Sequence, residues 1–228
     1  MTVQFHFLDA YQEIPLRLFA SIQRELQSAL PRVTSLLPIG QVDVVVAFAF
    51  PQWVIPEYGL MGWSHGKGRI TIAIDPSSPH IDEPQRAERL LGLLAHELHH
   101  VMRMRGPGYG RTLGEALVSE GLAQRFEVEA GAPPPLYAVS LDAAALTRAG
   151  ARAREQIDSV DYDHNAWFAG RPGDPAWPPY AGYSLGFALV GDWLARNDTS
   201  AAAAATVPAA QVLDAWRARD FALRDPAR

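Results

Sequence analysis

Residues 84–105 read PQRAERLLGLLAHELHHVMRMR, and this stretch decides how the 228-residue chain is interpreted. Its apolar residues recur at intervals of three and four, the spacing of one face of an α-helix. Gly106-Pro107-Gly108 follows and is predicted to end that helix. An apolar stripe predicts that the helix packs against a core, and it consists of Leu90, Leu94, Leu98 and Val101.

This predicted helix contains the pattern H-E-x-x-H in His96-Glu97-Leu98-His99-His100. Residues four apart lie on one helix face, so His96 and His100 can offer two imidazoles to one tetrahedral zinc ion. Glu97 lies beside them, where it can reach a water on the metal without being a ligand. His99 lies off that face and is expected to be a core histidine or one that supports a ligand without binding the metal. The segment therefore predicts a Zn²⁺ site with Glu97 as general base.

A third ligand is expected on the next predicted helix, residues 112–131, which carries Glu115 and Glu120. Thr112 and Glu115 match a capping box, in which the glutamate bonds back to the start of the helix. Glu120 shares the apolar face of the helix, where a buried carboxylate needs a partner. We therefore predict that Glu120 is the third ligand and that Glu115 is a cap.

Three strands are predicted ahead of the zinc motif. Residues 2–7 alternate apolar and polar side chains, residues 42–50 are a near-continuous apolar run, and Arg69–Ile74 alternates again. Residues 51–68, rich in Pro, Gly and aromatic residues, are predicted to be a loop. A helix capped by Asp9 is expected between the first two strands, ending at Pro31.

The second half is predicted to be mostly helical, with a loop over residues 158–179 and a loose connection over residues 201–205. A small sheet followed by helices is the α+β pattern. We expect one domain over residues 1–228, with a β-rich part over 1–80 and a helical part over 81–228. The later helices are predicted at residues 112–131, 141–157, 183–196 and 207–223.

The composition excludes several kinds of protein. The chain has no cysteine, so disulfides, thiolate metal sites and cysteine nucleophiles are excluded. Its net charge is −5 with no basic patch, so no nucleic-acid partner is expected. The longest apolar runs, residues 42–50 and 90–95, are too short to span a membrane. The N-terminus shows no secretory signal pattern, so a cytoplasmic protein is expected.

Several segments resemble a known family. With nineteen residues between His100 and Glu120, the motif looks like that of the gluzincin peptidases, whose third ligand is a glutamate on the following helix. Residues 96–101, 112–123 (TLGEALVSEGLA), 62–76 and 180–190 (YAGYSLGFALV) resemble the bacterial YjaZ-like predicted zinc-dependent proteases. The resemblance implies a zincin-like fold and a peptide or protein substrate. Gln124 stands where thermolysin-like enzymes have an aspartate that orients a zinc histidine, and its side-chain carbonyl could accept the imidazole N–H in place of that aspartate.

Peptide hydrolysis at such a site needs a general base and an oxyanion donor. Zinc would activate a water, and Glu97 would take its proton and pass it to the leaving amine. Tyr183 is the predicted oxyanion donor because Gly182 and Gly186 leave it uncovered, and His164 and Tyr180 are the alternatives. The resemblance to zincins suggests that Arg69–Ile74 is an edge strand that holds the peptide.

Other interpretations remain open. Glu120 could form a buried ion pair with Arg103 or Arg125 instead of binding zinc. His65, like His164, is expected to be a solvated loop histidine. The same zinc chemistry serves an amidase or esterase with a small substrate. Two further alternatives are a catalytically silent zincin fold that acts as a binding or regulatory module and a helical protein without zinc in which the motif occurs by chance. The sequence does not indicate an oligomeric state.

Overall fold

The structure is a computed structural model that describes residues 2–218, so the end of the predicted helix 207–223 lies outside the described residues. A small sheet is followed by a mostly helical half, which confirms the α+β class. The described strands are β1 (Thr2–Leu8), β2 (Gln41–Phe48), β3 (Leu60–Ser64) and β4 (Arg69–Ile74). The described helices are α1 (Leu16–Leu36), α2 (Arg86–Arg105), α3 (Leu113–Glu129), α4 (Ala143–Gln156), α5 (His164–Phe168), α6 (Ala181–Arg196) and α7 (Ala209–Arg217).

Two compact units divide the chain. The first contains the residues up to Arg105 together with residues 127–133, and so holds the whole sheet with α1 and α2. The second contains residues 106–126 and the residues from Pro134 onward. The single domain expected over residues 1–228 stays a prediction.

The first unit is built on a four-stranded sheet with the order β1-β2-β4-β3. β1, β2 and β4 run parallel, whereas β3 runs antiparallel to β4. α2 packs against α1, β3 and β4. The apolar stripe predicted for α2 is fully buried. Alternate residues of β2 and β4 are also buried, so one face of each strand lies against the core. The core contains Val44, Val46, Ile70, Ile72, Leu90, Leu94, Leu98 and Val101.

The edge strand differs from the prediction. Arg69–Ile74 was expected at the edge, but β4 pairs with β2 on one side and with β3 on the other. The edge next to β4 is β3, which lies inside the predicted loop 51–68. Its sequence, LMGWS, carries a glycine and no regular alternation, and pairing with β4 compensates for that weak local preference.

The first helix also differs from the prediction, since Pro31 lies inside α1 and does not end it. A buried apolar face that continues past the proline to Val33 keeps the last turn helical, because packing outweighs the hydrogen bond that proline cannot donate. Asp9 does not cap this helix. Its carboxylate accepts from the backbone N–H of Glu13 at 2.8 Å, in the turn before Pro15, the residue that precedes α1.

The second unit is organised around α6, which packs against α4, α5 and α7. The predicted loop 158–179 contains α5, and Asp163 caps it by accepting from the backbone N–H of Ala166. The predicted loose connection 201–205 is instead ordered, because Ala203–Thr206 forms a 3-10 helix and Ala201, Ala204 and Ala205 are buried.

Within residues 2–218, none of the helices has both the length and the apolar character needed to cross a membrane.

Candidate metal centre

His96, His100 and Glu120 form the candidate metal centre. One ligand atom from each lies within 4.8 Å of the other two, and all three side chains are buried. The Nε2 atoms of the two histidines are 3.0 Å apart, since one turn of α2 separates the residues. The structure thus brings together the three side chains that the sequence predicted as ligands.

A carboxylate from α3 orients the first histidine. Nδ1 of His96 lies 2.7 Å from Oε1 of Glu127, which is itself buried. The carboxylate accepts the Nδ1 proton, so Nε2 keeps its lone pair for a metal. Gly92 leaves the space for this contact, because a Cβ there would lie 2.8 Å from Oε2 of Glu127.

Sequence reasoning missed Glu127 and considered Gln124 in its place. Gln124 is fully buried, and neither atom of its side-chain amide has a hydrogen-bond partner within residues 2–218. The suggestion that its carbonyl orients a zinc histidine is therefore wrong. A signal for Glu127 was present, since it follows Glu120 by seven residues and so lies on the same face of α3.

The donor set fits zinc. It consists of two imidazole nitrogens and one carboxylate oxygen, and three ligands of this type are usual for catalytic zinc. A carboxylate fixes the tautomer of His96, as is common for metal-ligating histidines. The ligands that would hold the ion are therefore His96, His100 and Glu120.

Glu97 is buried beside the ligands and is held by the edge strand. The Ser64 hydroxyl lies 2.7 Å from Oε2 of Glu97 and 2.8 Å from its backbone carbonyl oxygen. Gly62 leaves the space for the carboxylate, because a Cβ there would lie 2.7 Å from Oε1. Glu97 is therefore adjacent in sequence to a candidate ligand but outside the ligand group, as predicted.

The capping role of Glu115 is confirmed. Its Oε2 accepts from the backbone N–H of Thr112 at 3.0 Å, and the Thr112 hydroxyl accepts from the backbone N–H of Glu115 at 3.2 Å. A further bond from the backbone N–H of Arg111 measures 2.7 Å. Glu115 thus caps the start of α3, whereas Glu120 lies five residues further along the helix and is buried.

Arg125 is one of the two arginines that could have formed an ion pair with Glu120, but its hydrogen-bond partner is Phe187. Its Nε–H donates to the carbonyl oxygen of Phe187 at 2.9 Å, and its guanidinium lies 3.5 Å from the centre of the Phe187 ring. Burial lowers the pKa of Arg125 to about 10. Arg103, the other suggested partner, is buried in α2.

Two tyrosines of the second unit, Tyr109 and Tyr162, lie near Glu120. Burial raises the pKa of Tyr109, and the charge of Glu120 together with a hydrogen bond to it adds to the shift, as does nearby Tyr183. The pKa of Tyr162 is also raised, mainly by burial and then by Glu120. Sequence reasoning missed Tyr109, which lies in the glycine-rich segment between α2 and α3.

Tyr183 lies near the start of α6 in an aromatic cluster. Its ring centre is 5.1 Å from that of Tyr137 and 4.9 Å from that of Phe168. The glycines around it allow other elements to approach closely. A Cβ at Gly182 would lie 2.7 Å from the Phe168 ring, and one at Gly186 would lie 2.4 Å from the Leu117 carbonyl oxygen. α6 is therefore held against α3, the helix that carries Glu120.

The remaining histidines lie outside the ligand group. His99 is fully buried in α2, as predicted for a core histidine. His65 is exposed and its Nε2 lies 2.9 Å from the Thr71 hydroxyl. His164 begins α5 rather than lying in a loop, and its Nδ1 is 3.0 Å from the Tyr162 hydroxyl. Tyr180 precedes α6 with a left-handed backbone, φ 65°.

Comparison with known proteins identifies one family. The profile described as "Predicted Zn-dependent protease (DUF2268)" matches residues 22–214, a span that includes all three candidate ligands and Glu97. No curated protein matches the chain, and no solved structure does. The buried His-His-Glu group agrees with the zinc dependence in the family's description. The chain belongs to this family of predicted Zn-dependent proteases.

Proposed function

We propose that the protein is a zinc-dependent peptidase in which His96, His100 and Glu120 hold the metal and Glu97 is the general base. The observation that carries the proposal is the buried group of two imidazoles and one carboxylate whose ligand atoms lie within 4.8 Å of one another. When bound, zinc would act as a Lewis acid, lowering the pKa of a water molecule towards neutrality and polarising a carbonyl group.

Glu97 is suited to move a proton. It is adjacent to His96, is buried, and is not a member of the ligand group. Its carboxylate takes a proton from the attacking water and returns it to the leaving amine. Gly62 leaves space for the carboxylate, and the bond from the Ser64 hydroxyl holds it in place before the substrate arrives.

The outer side of β3 is suited to bind an extended peptide. In antiparallel pairing, alternate residues direct their backbone N–H and C=O groups to the neighbouring strand. The N–H of His65 donates to the carbonyl oxygen of Arg69, and the carbonyl oxygen of Gly59 accepts from the N–H of Asp75. The odd-numbered residues of β3 therefore direct their backbone N–H and C=O groups towards β4. Gly62 and Ser64 therefore direct their N–H and C=O groups outwards. A substrate strand can pair with them by β-augmentation.

Tyr183 is the proposed oxyanion donor. A neutral phenol can donate to the developing oxyanion without first being ionised. Tyr183 lies near Tyr109, whose hydroxyl bonds to the ligand Glu120. His164 and Tyr180 are the alternatives to Tyr183.

A peptide library incubated with the zinc-loaded protein tests the function. We expect one zinc per chain by metal analysis, new peptide termini by mass spectrometry, and loss of cleavage on chelation with recovery on adding zinc. Cleavage of small amides or esters alone would favour the amidase or esterase. Zinc binding without turnover would favour a silent binding module, and absence of zinc would contradict the metal site.

A further inference from the structure

Ser64 joins the edge strand to the proposed general base. Its hydroxyl lies 2.7 Å from Oε2 of Glu97 and 2.8 Å from the backbone carbonyl oxygen of the same residue. The two residues are 33 positions apart in sequence, so the contact exists only because β3 packs against α2. A hydroxyl has one proton and can rotate, so it can donate to either of the two oxygens.

Glu97 also lies close over Gly62, which has no side chain to obstruct it. A Cβ at this position would lie 2.7 Å from both Cγ and Oε1 of Glu97. The carboxylate thus lies along the face of β3, with Oε1 over Gly62 and Oε2 at the Ser64 hydroxyl. Gly62 and Ser64 both direct their backbone polar groups to the outer side of the sheet, where the proposed substrate strand pairs.

A glutamate side chain has several rotatable bonds, and a general base must stay within hydrogen-bond reach of its proton. Displacing a reacting group by about 1 Å can lower the rate about 10²-fold. A hydroxyl that keeps one carboxylate oxygen in place therefore contributes to the rate without touching the substrate. Gly62 has no Cβ that would collide with Glu97, whereas the Ser64 hydroxyl donates a hydrogen bond to the Glu97 carboxylate.

We propose that Ser64 is a positioning residue that holds the Glu97 carboxylate against β3, so that the strand that binds the peptide also sets the orientation of the base. This inference rests on the proposed peptidase function. Its consequence is that substrate binding and base orientation share one residue but use different groups: the backbone of Ser64 for the peptide and the hydroxyl for Glu97.

The kinetic test compares Ser64→Ala with Ser64→Thr in the zinc-loaded protein. Ser64→Ala should keep one zinc per chain and lower kcat about 10- to 100-fold, the range for groups that orient a metal site. KM should change less than about twofold, because the backbone of β3 is intact. Ser64→Thr restores a hydroxyl and should recover most of kcat. Thr71→Val is the matched control, since it removes a hydroxyl that bonds to His65 on the same sheet.

Zinc-free protein provides a second readout that does not depend on activity. Ser64→Ala should lower the midpoint of thermal unfolding when Glu97 is present. In a Glu97→Ala background the same substitution should have little effect, because the bond is already lost. An equal effect in both backgrounds would overturn the contact on which the inference rests.

The kinetic outcomes separate the inference from the proposed function. An active wild-type protein with unchanged kcat in Ser64→Ala, or a Ser64→Thr variant as impaired as Ser64→Ala, overturns the inference alone. A zinc-loaded wild-type protein that cleaves no peptide overturns the proposed function and the inference with it. A kcat loss that Thr restores, with zinc and KM retained, supports both.

Discussion

Oε1 of Glu127 lies 2.7 Å from Nδ1 of His96, two buried side chains 31 residues apart in sequence. This contact fixes which imidazole nitrogen is available to the metal. We expect Glu127→Ala to weaken zinc binding about 10- to 100-fold, the usual effect of removing such a partner. Competition with a chelator of known affinity measures this. Glu155→Ala, which removes an exposed carboxylate from α4, is the control. Wild-type affinity in Glu127→Ala would show that the contact does not support the metal.

Glu97→Gln is expected to keep zinc and lose nearly all turnover. The amide can still accept a hydrogen bond from Ser64, so the fold and the metal site should be preserved, but it cannot take a proton from water. Loss of a general base lowers the rate by a factor of about 10² to 10⁴. Zinc content and peptide cleavage are measured on the same sample. Substantial turnover by this variant would remove Glu97 from the mechanism.

Glu120→Ala and Glu115→Ala should differ in metal content. Glu120 belongs to the buried ligand group, whereas Glu115 bonds to backbone N–H groups at the start of α3. We expect zinc to be lost from Glu120→Ala and retained by Glu115→Ala. The second variant should instead lose about 0.5–2 kcal/mol of unfolding free energy, as other caps do. Zinc loss confined to Glu115→Ala would reverse the assignment of the third ligand.

Tyr183→Phe is expected to lower kcat about 10²-fold while leaving KM and zinc content nearly unchanged. Its ring packing against Tyr137 and Phe168 is kept in this variant, so the fold should be preserved. Tyr109→Phe is the comparison. Because Tyr109 is hydrogen-bonded to Glu120, the Tyr109→Phe substitution should change the affinity for zinc. If Tyr183 serves only packing, kcat stays at the wild-type value and stability shifts by about 1 kcal/mol.

Gln124→Met is expected to stabilise the protein by about 1 kcal/mol. The Gln124 amide is fully buried and neither of its polar atoms has a hydrogen-bond partner within residues 2–218. An unsatisfied buried polar group costs about 1–3 kcal/mol, and methionine has a similar volume. Denaturant unfolding measures the change, and zinc affinity should stay constant. A loss of stability would instead point to a buried water bound to the amide.

Local patterns predicted the helices that carry the candidate ligands well. His96 and His100 are one helical turn apart, and that spacing depends only on helix geometry. The capping box of Thr112 and Glu115 also spans three residues, so sequence alone identified it correctly. Glu120 was found because a carboxylate on an apolar helix face needs a partner, and the structure places it with the two histidines.

Contacts between distant segments were decided by the tertiary structure alone. The weak local pattern of Leu60–Ser64 becomes an edge strand only through pairing with β4, and β4 for the same reason is not an edge. Ser64 meets Glu97, and Glu127 meets His96, across more than thirty residues of sequence. Helical and strand periodicity assign a side chain to a face, but only packing determines which side chain of another element it meets. The sequence by itself therefore determined the candidate ligands and the helices that carry them, and the tertiary structure decided which residues lie against them.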